Sequence, residues 1–245
     1  MANVMPDAMP DATSDPLPVV LVPGLTCTSR LYTEQIPALW QFGPVMVADH
    51  RRDDGMAAIA RRILAAAPPR FALAGLSMGG YIAFEIMRQA PGRVAKLALL
   101  DTGARADVPE QTERRRVLMA MAKEGRYAEI VELAFPLYVH RNRHGDASLK
   151  RIVRDMAEAT GLEAYLRQQQ AILSRPDSRP GLGAIACPTL VVVGEGDEAT
   201  PPELAREIAA GIAGSRLVAI PDSGHLSTLE QPAAVTKALV EWLRP

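Results

Sequence analysis

The 245-residue chain is predicted to fold as an α/β protein, a doubly wound and mainly parallel sheet of about six strands carrying an inserted helical cap. Two observations carry this. Short, nearly continuous apolar runs recur along the chain, as strands buried on both faces require, and segments of helical periodicity separate several of them. The alternation is then interrupted between Thr102 and about Gly183, where charged helical stretches follow one another without a strand between them. Strands alternating with helices imply right-handed crossovers and helices on both faces of the sheet.

In order along the chain, Met1 to Pro16 is rich in Pro, Asp and Ala and repeats Met5-Pro6-Asp7-Ala8 as Met9-Pro10-Asp11-Ala12, the composition of a flexible tail. The core is expected over 17–103 and 184–245. Its strands fall at Pro18–Val22, Val45–Ala48, Arg70–Ala74, Val94–Leu100, Thr189–Val193 and Arg216–Ile220. Helices are expected at Ser29–Trp40, Asp54–Ala66, Met78–Ala90, Pro202–Ala213 and Leu229–Leu243. The cap is expected over 104–183, with helical stretches Pro109–Glu124 and Leu149–Ser174, and the Pro- and Gly-dense segment from Ser174 to Gly183 marks the return to the sheet.

Composition narrows the function. Hydrophobic residues at 48% and charged residues at 22% describe an ordinary globular protein, and a formal net charge of −1 supplies no cationic excess for a nucleic-acid backbone. No apolar run reaches the ~18 residues of a membrane span, and no cationic, apolar leader opens the chain. Cys27 and Cys187 form neither a Cys-x-x-Cys pair nor a metal cluster. The expectation is a cytoplasmic protein with two free thiols, no metal, no organic cofactor and a small-molecule partner; oligomeric state is not legible.

The chemistry centres on Gly75-Leu76-Ser77-Met78-Gly79, a Gly-x-Ser-x-Gly placed after an apolar strand and before a helical run. An abrupt strand-to-helix turn forces the central residue into a strained conformation and projects its hydroxyl above the sheet, while the helix start offers unpaired amides to a developing negative charge. A serine hydroxyl needs a base. His225, in Pro221-Asp222-Ser223-Gly224-His225, follows the last strand and so returns to the same sheet edge; His50, His140 and His144 sit among charged residues and read as surface groups. The carboxylate that orients the base is expected from a loop after another strand. Asp197 fits, flanked by Gly194 and Gly196, with Asp101 as the rival and Glu195 and Glu198 as neighbours able to serve; Asp222 lies too close to His225 in sequence.

The order Ser77, Asp197, His225 in these contexts resembles the α/β-hydrolase family over nearly the whole chain from Pro18 onward. The resemblance implies strand order 2-1-3-4-5-6 and an oxyanion loop at Pro23-Gly24-Leu25, with the backbone amides of Leu25 and Met78 as the hole. The chain departs from the family in having Pro23 where many members have His, and in lacking the antiparallel strand pair that often precedes the oxyanion strand. By the same resemblance, Asp49-His50-Arg51-Arg52-Asp53-Asp54-Gly55 is the family's charged loop after the second strand, with a structural role.

The implied reaction is hydrolysis of a small or medium carboxylic ester through an acyl-enzyme on Ser77. Lactone, thioester and carbon–carbon bond hydrolysis use the same three residues, and a ligand-binding protein that keeps the fold with little turnover is the alternative of another class. Phe135, Leu137, Tyr138 and Tyr165 are candidates for the pocket wall, and Cys27 is read as a small buried side chain. Arg114, Arg115, Arg116, Arg141, Arg143, Arg151 and Arg154 are expected to form mainly a solvated face, any one of them a candidate to read a substrate carboxylate.

Overall fold

The computed structural model describes residues 16–245. Six strands, β1 (Val19–Val22), β2 (Val45–Val47), β3 (Phe71–Leu76), β4 (Val94–Leu100), β5 (Thr189–Gly194) and β6 (Arg216–Ile220), form one sheet in the order β2-β1-β3-β4-β5-β6. Every neighbouring pair is parallel. This is the expected strand order. Of the tail expected over 1–16, all but Pro16 lies outside the described residues.

The near-continuous apolar runs have the cause assigned to them. Along β3, Phe71 and Leu73 pack on one face of the sheet, and Ala72, Ala74 and Leu76 on the other, all fully buried. The first face is covered by α2 (Met56–Ala66), α3 (Met78–Gln89) and α8 (Pro202–Gly211); the second by α1 (Ile36–Leu39), the single turn α9 (Ser227–Glu230) and α10 (Pro232–Leu243). In β1, β3 and β5 neither face leaves a strand side chain in water, so no polar alternation is written into these segments, whereas the edge strand β6 exposes Arg216, Leu217 and Ala219.

Proline and glycine account for the differences from the expected helices. Ser29–Trp40 is not one helix: a 3-10 turn over Ser29–Tyr32 is followed by the one-turn α1, with Pro37 in its first turn. A proline inside a continuous helix would remove a hydrogen bond and clash with the preceding turn, whereas in a first turn its missing N–H costs nothing. The last helix likewise divides into α9 and α10, with Pro232 opening α10.

Between β4 and β5 lie α4 (Pro109–Met121), α5 (Tyr127–Tyr138), α6 (Ala147–Thr160) and α7 (Leu162–Leu173), which pack on one another as a helical cap. The stretch expected to run from Leu149 to Ser174 is two helices because Gly161 takes φ 79° between them. Asp146 caps α6 by accepting from the amides of Ser148 and Leu149 at 3.0 and 2.9 Å. The helix expected to end at Glu124 stops at Met121 and passes into a widened turn through Gly125 (φ 86°). The cap reaches into the sheet's second face through Phe135, Leu149, Val153 and Met156.

The loops that leave β1, β3, β4, β5 and β6 all emerge at the strands' C-terminal edge, beneath the cap. The chain reverses its winding direction where β1 lies between β2 and β3. A crevice at such a switch point is where open α/β sheets bind ligands.

Candidate active site

β3 ends at Leu76 and α3 begins at Met78, so Ser77 must turn the chain alone. It does so at φ 56° and ψ −116°, a left-handed strained conformation for a residue with a side chain. Two glycines allow it by close approach: a Cβ on Gly75 would overlap the Gly79 carbonyl, and one on Gly79 would overlap the Val22 carbonyl of β1. The Ser77 N–H donates to Leu100 O (2.9 Å), and the Thr102 hydroxyl donates to Ser77 O (2.8 Å). The end of β4 thus holds the strained residue through both its N–H and its carbonyl.

The Ser77 hydroxyl donates to His225 Nε2 at 2.8 Å, and His225 Nδ1–H donates to Asp197 Oδ2 at 2.8 Å. Both His225 and Asp197 are buried. Asp197 is held in place by three further donors, the amides of Ala199 (2.9 Å) and Thr200 (2.8 Å) and the Thr200 hydroxyl (2.8 Å). Burial acts to lower the His225 pKa, but the adjoining Asp197 charge and hydrogen bond outweigh it, so the imidazole is held above its ordinary value. The imidazolium is thereby favoured where a general base must take up a proton.

Asp101, the rival carboxylate, makes no bond to His225. At the end of β4 it accepts from Gly194 N (2.9 Å) and from the Ser227 hydroxyl, tying the β5 loop to α9. Burial and the neighbouring Asp197 charge raise its pKa. Glu195 and Glu198 are exposed, and Asp222 is exposed at φ 51°.

A residue the sequence did not single out holds the His225 loop. Buried Glu230 accepts from Gly224 N at 2.9 Å and from His140 N at 2.7 Å, joining that loop to the end of α5; burial raises its pKa. His140 is accordingly half-buried against Gly196, whereas a surface position was expected; His144 is exposed.

The expected oxyanion loop is pinned at several of its polar groups. The Cys27 N–H donates to Gly24 O (3.1 Å), and the Thr26 N–H, at φ 58°, donates to Gln168 Oε1 of the cap helix α7 (3.0 Å). His50 Nε2–H donates to Gly24 O (2.9 Å), with the Gln168 amide nitrogen 3.1 Å from the same ring atom. His50 was expected at the surface; it is 2% exposed, and burial lowers its pKa and keeps it neutral. Its neighbours Asp49, Arg51 and Arg52 pair among themselves and leave it turned inward. Among the described residues, the N–H groups of Leu25 and Met78 are engaged by no other backbone group. They flank Ser77, at the loop after β1 and at the first residue of α3.

These groups open on a cavity of about 420 Å³ between sheet edge and cap. Its walls include Leu25, Leu118, Ile130, Leu137, Tyr138 and Tyr165. Phe135, also expected on the wall, is instead turned into the core: Ile130, Ala134 and Leu137 form the stripe of α5 that faces the cavity, and the next residue after Ala134 is rotated by about 100°. The Tyr138 ring lies 5.6 Å from that of His225. Cys27 also lines the cavity, but burial pushes its thiol to about 12, leaving almost no thiolate near neutrality.

Three of the cap arginines pair with acids on the outside, Arg116 with Glu113, Arg143 with Asp146 and Arg154 with Glu132. Arg115 departs from this, being drawn into the cavity wall beside Asp107 and Gln169. Among the described residues no three His, Cys, Asp or Glu side chains cluster as a metal would require, and no helix is long and apolar enough to cross a membrane.

Comparison with known proteins places this geometry in context. Residues 19–238 match the model of the alpha/beta hydrolase family. A thermophilic esterase from Thermogutta terrifontis superposes with a TM-score of 0.84 at 34% identity, over 93% of this chain and 89% of that one. The enol-lactonase from Burkholderia xenovorans LB400 gives a TM-score of 0.85 at 26% identity, over 95% and 93% of the two chains. The pimeloyl-[acyl-carrier protein] methyl ester esterase of Neisseria meningitidis is 27% identical over 250 residues, covering 96% of this chain and 95% of its own.

Proposed function

Because the chain belongs to the alpha/beta hydrolase family of enzymes, we propose that it is a serine hydrolase of small or medium carboxylic esters, acting through an acyl-enzyme on Ser77. The observation that carries this reading is the unbroken chain of two 2.8 Å hydrogen bonds from Ser77 through His225 to Asp197 at the floor of the cavity beneath the cap.

In the proposed reaction, His225 Nε2 takes the Ser77 proton as Oγ attacks the ester carbonyl, and Asp197 balances the imidazolium. The carbonyl oxygen becomes an oxyanion facing the Leu25 and Met78 amides, the latter reinforced by the positive end of α3. His225 returns the proton to the departing alkoxide, and the same groups then direct water onto the acyl-enzyme. A positioned base of this kind contributes about 10²- to 10⁴-fold. The hole contributes separately, and each of its donors is worth about 3 kcal/mol.

Treatment with a fluorophosphonate, followed by intact-mass and peptide measurement, tests the nucleophile; a single adduct on Ser77 is expected, together with hydrolysis of short p-nitrophenyl esters that Ser77→Ala abolishes. An unlabelled Ser77 with no turnover above that of the variant would remove the reading in favour of a ligand-binding protein. A cyclic ester is the second reading, favoured by the full-length likeness to an enol-lactonase. Comparing rates on lactones and linear esters of equal carbon number separates the two.

A further inference from the structure

The cavity wall formed by α4 and α7 carries more positive charge, and more hydrogen-bond donors, than the chain itself satisfies. Behind it, two guanidiniums share one carboxylate, and of the three groups Arg115 reaches the cavity. Arg115 Nε donates to Asp107 Oδ2 at 2.6 Å and Arg175 Nη2 to Asp107 Oδ1 at 2.7 Å, and the Asp107 side chain is only 3% exposed. Two cations against one anion leave one positive charge in a poorly solvated place.

The two arginines are not equivalent. Arg175 is spent on structure: Nε donates to Arg105 O (3.2 Å), Nη1 to Ile172 O (3.0 Å), and the guanidinium lies over the Tyr81 ring at 4.3 Å. Arg115 lines the cavity, donates through Nη1 to Gln169 Oε1 (3.0 Å), and makes no hydrogen bond through Nη2 among the described residues. Gln169 in turn donates to the Tyr165 oxygen (3.0 Å), which leaves the Tyr165 hydroxyl proton without an acceptor among the described residues. The hydroxyls of Tyr81 and Tyr138, also on the wall, find no partner among the described residues either. Among the described residues, Arg114, one residue away, faces the cavity without an ion pair, and the only carboxylate on the wall, Glu198, is exposed.

Such a surface asks for an acceptor-rich anion of planar shape, and a guanidinium with a free edge matches a carboxylate in both charge and geometry. We propose that the Arg115 lobe binds a carboxylate of the substrate, so that the preferred substrates are carboxylate-bearing esters such as half-esters of small dicarboxylic acids. The inference rests on the reading of Ser77 as nucleophile for the word ester, and on the unsatisfied donors for the carboxylate.

The test separates the two. Ser77→Ala protein, which holds substrate without consuming it, is titrated calorimetrically with monomethyl succinate, glutarate and adipate and with their dimethyl esters. At least one half-ester is expected to bind on the order of 100-fold more tightly than its diester. Adding Arg115→Gln should remove that advantage, and Arg115→Lys should restore part of it. Should Arg115→Gln not fold, Arg114→Gln, at the exposed rim of the same cavity, and the half-ester to diester ratio of the parent protein serve instead. Equal affinity for half-ester and diester at every length overturns the carboxylate proposal, while hydrolysis of neutral p-nitrophenyl esters by the native protein reports on the esterase reading alone.

Discussion

Replacing Gln168 with alanine removes the acceptor of the Thr26 N–H, which stands one residue beyond the proposed oxyanion donor Leu25. Two costs follow. A partly buried amide is left without a partner, worth about 1–3 kcal/mol. Thr26 also loses the contact that holds it at φ 58°, a conformation that costs a residue with a side chain about 1–3 kcal/mol and persists only where its surroundings impose it. Relaxation of Thr26 turns the Leu25 amide away from the place where the oxyanion forms. If the first cost alone is transferred to the transition state, kcat falls roughly 5- to 150-fold at 1.36 kcal/mol per factor of ten. KM should stay within about threefold, because the lost interaction strengthens only as charge develops. The assay is steady-state hydrolysis of p-nitrophenyl butyrate beside thermal unfolding of the same preparation, with a boronic acid as a mimic of the tetrahedral state. An unchanged kcat together with unchanged boronate affinity refutes the reasoning, whatever happens to the melting temperature; a fall in melting temperature alone would mean that Gln168 only fastens the cap.

Exchanging the two carboxylates discriminates their roles. Asp197→Asn is expected to lower kcat by on the order of 10⁴-fold with little change of fold, because the imidazole loses its tautomer and its counter-charge, whereas Asp101→Asn keeps an oxygen for Gly194 N and should cost far less in kcat. A collapse confined to the Asp101 variant would reverse the assignment. The pH profile provides a second check. His225 must be unprotonated to accept the Ser77 proton, so kcat/KM should rise with pH through an inflection above the ordinary histidine value, where Asp197 holds it against the lowering effect of burial. In Asp197→Asn the inflection should move downward; a native inflection at or below the ordinary value would contradict the geometry.

The strands and the serine turn were legible because physics leaves few ways to write them. A strand buried on both faces is held to apolar residues, as β3 is throughout and β5 is after Thr189. A single residue turning strand into helix needs room on both sides, and Gly75 and Gly79 are that room. The supports of the site were not legible. His50 sits in a run of charges whose members pair outward, and nothing local distinguishes the one side chain turned inward. Gln168, Gln169 and Gln170 read as one polar run, yet the first holds the loop, the second holds Arg115 and the third is exposed. Their roles depend on the roll of α7 over the sheet edge, which no residue of α7 encodes alone. Glu230 is hidden similarly, as an acid at the end of a single helical turn whose two amide partners come from the His225 loop and from the cap.

The bond from Gln168 to Thr26 has a consequence for how such enzymes diversify. A cap that merely roofed the cavity could be exchanged between relatives as a cartridge, carrying its specificity with it. Here α7 brings a fastening as well as a wall, and the loop it fastens belongs to the sheet. A transplanted roof lacking a glutamine at that position would arrive with its own selectivity and leave the reaction slow, so roof and floor are constrained to change together.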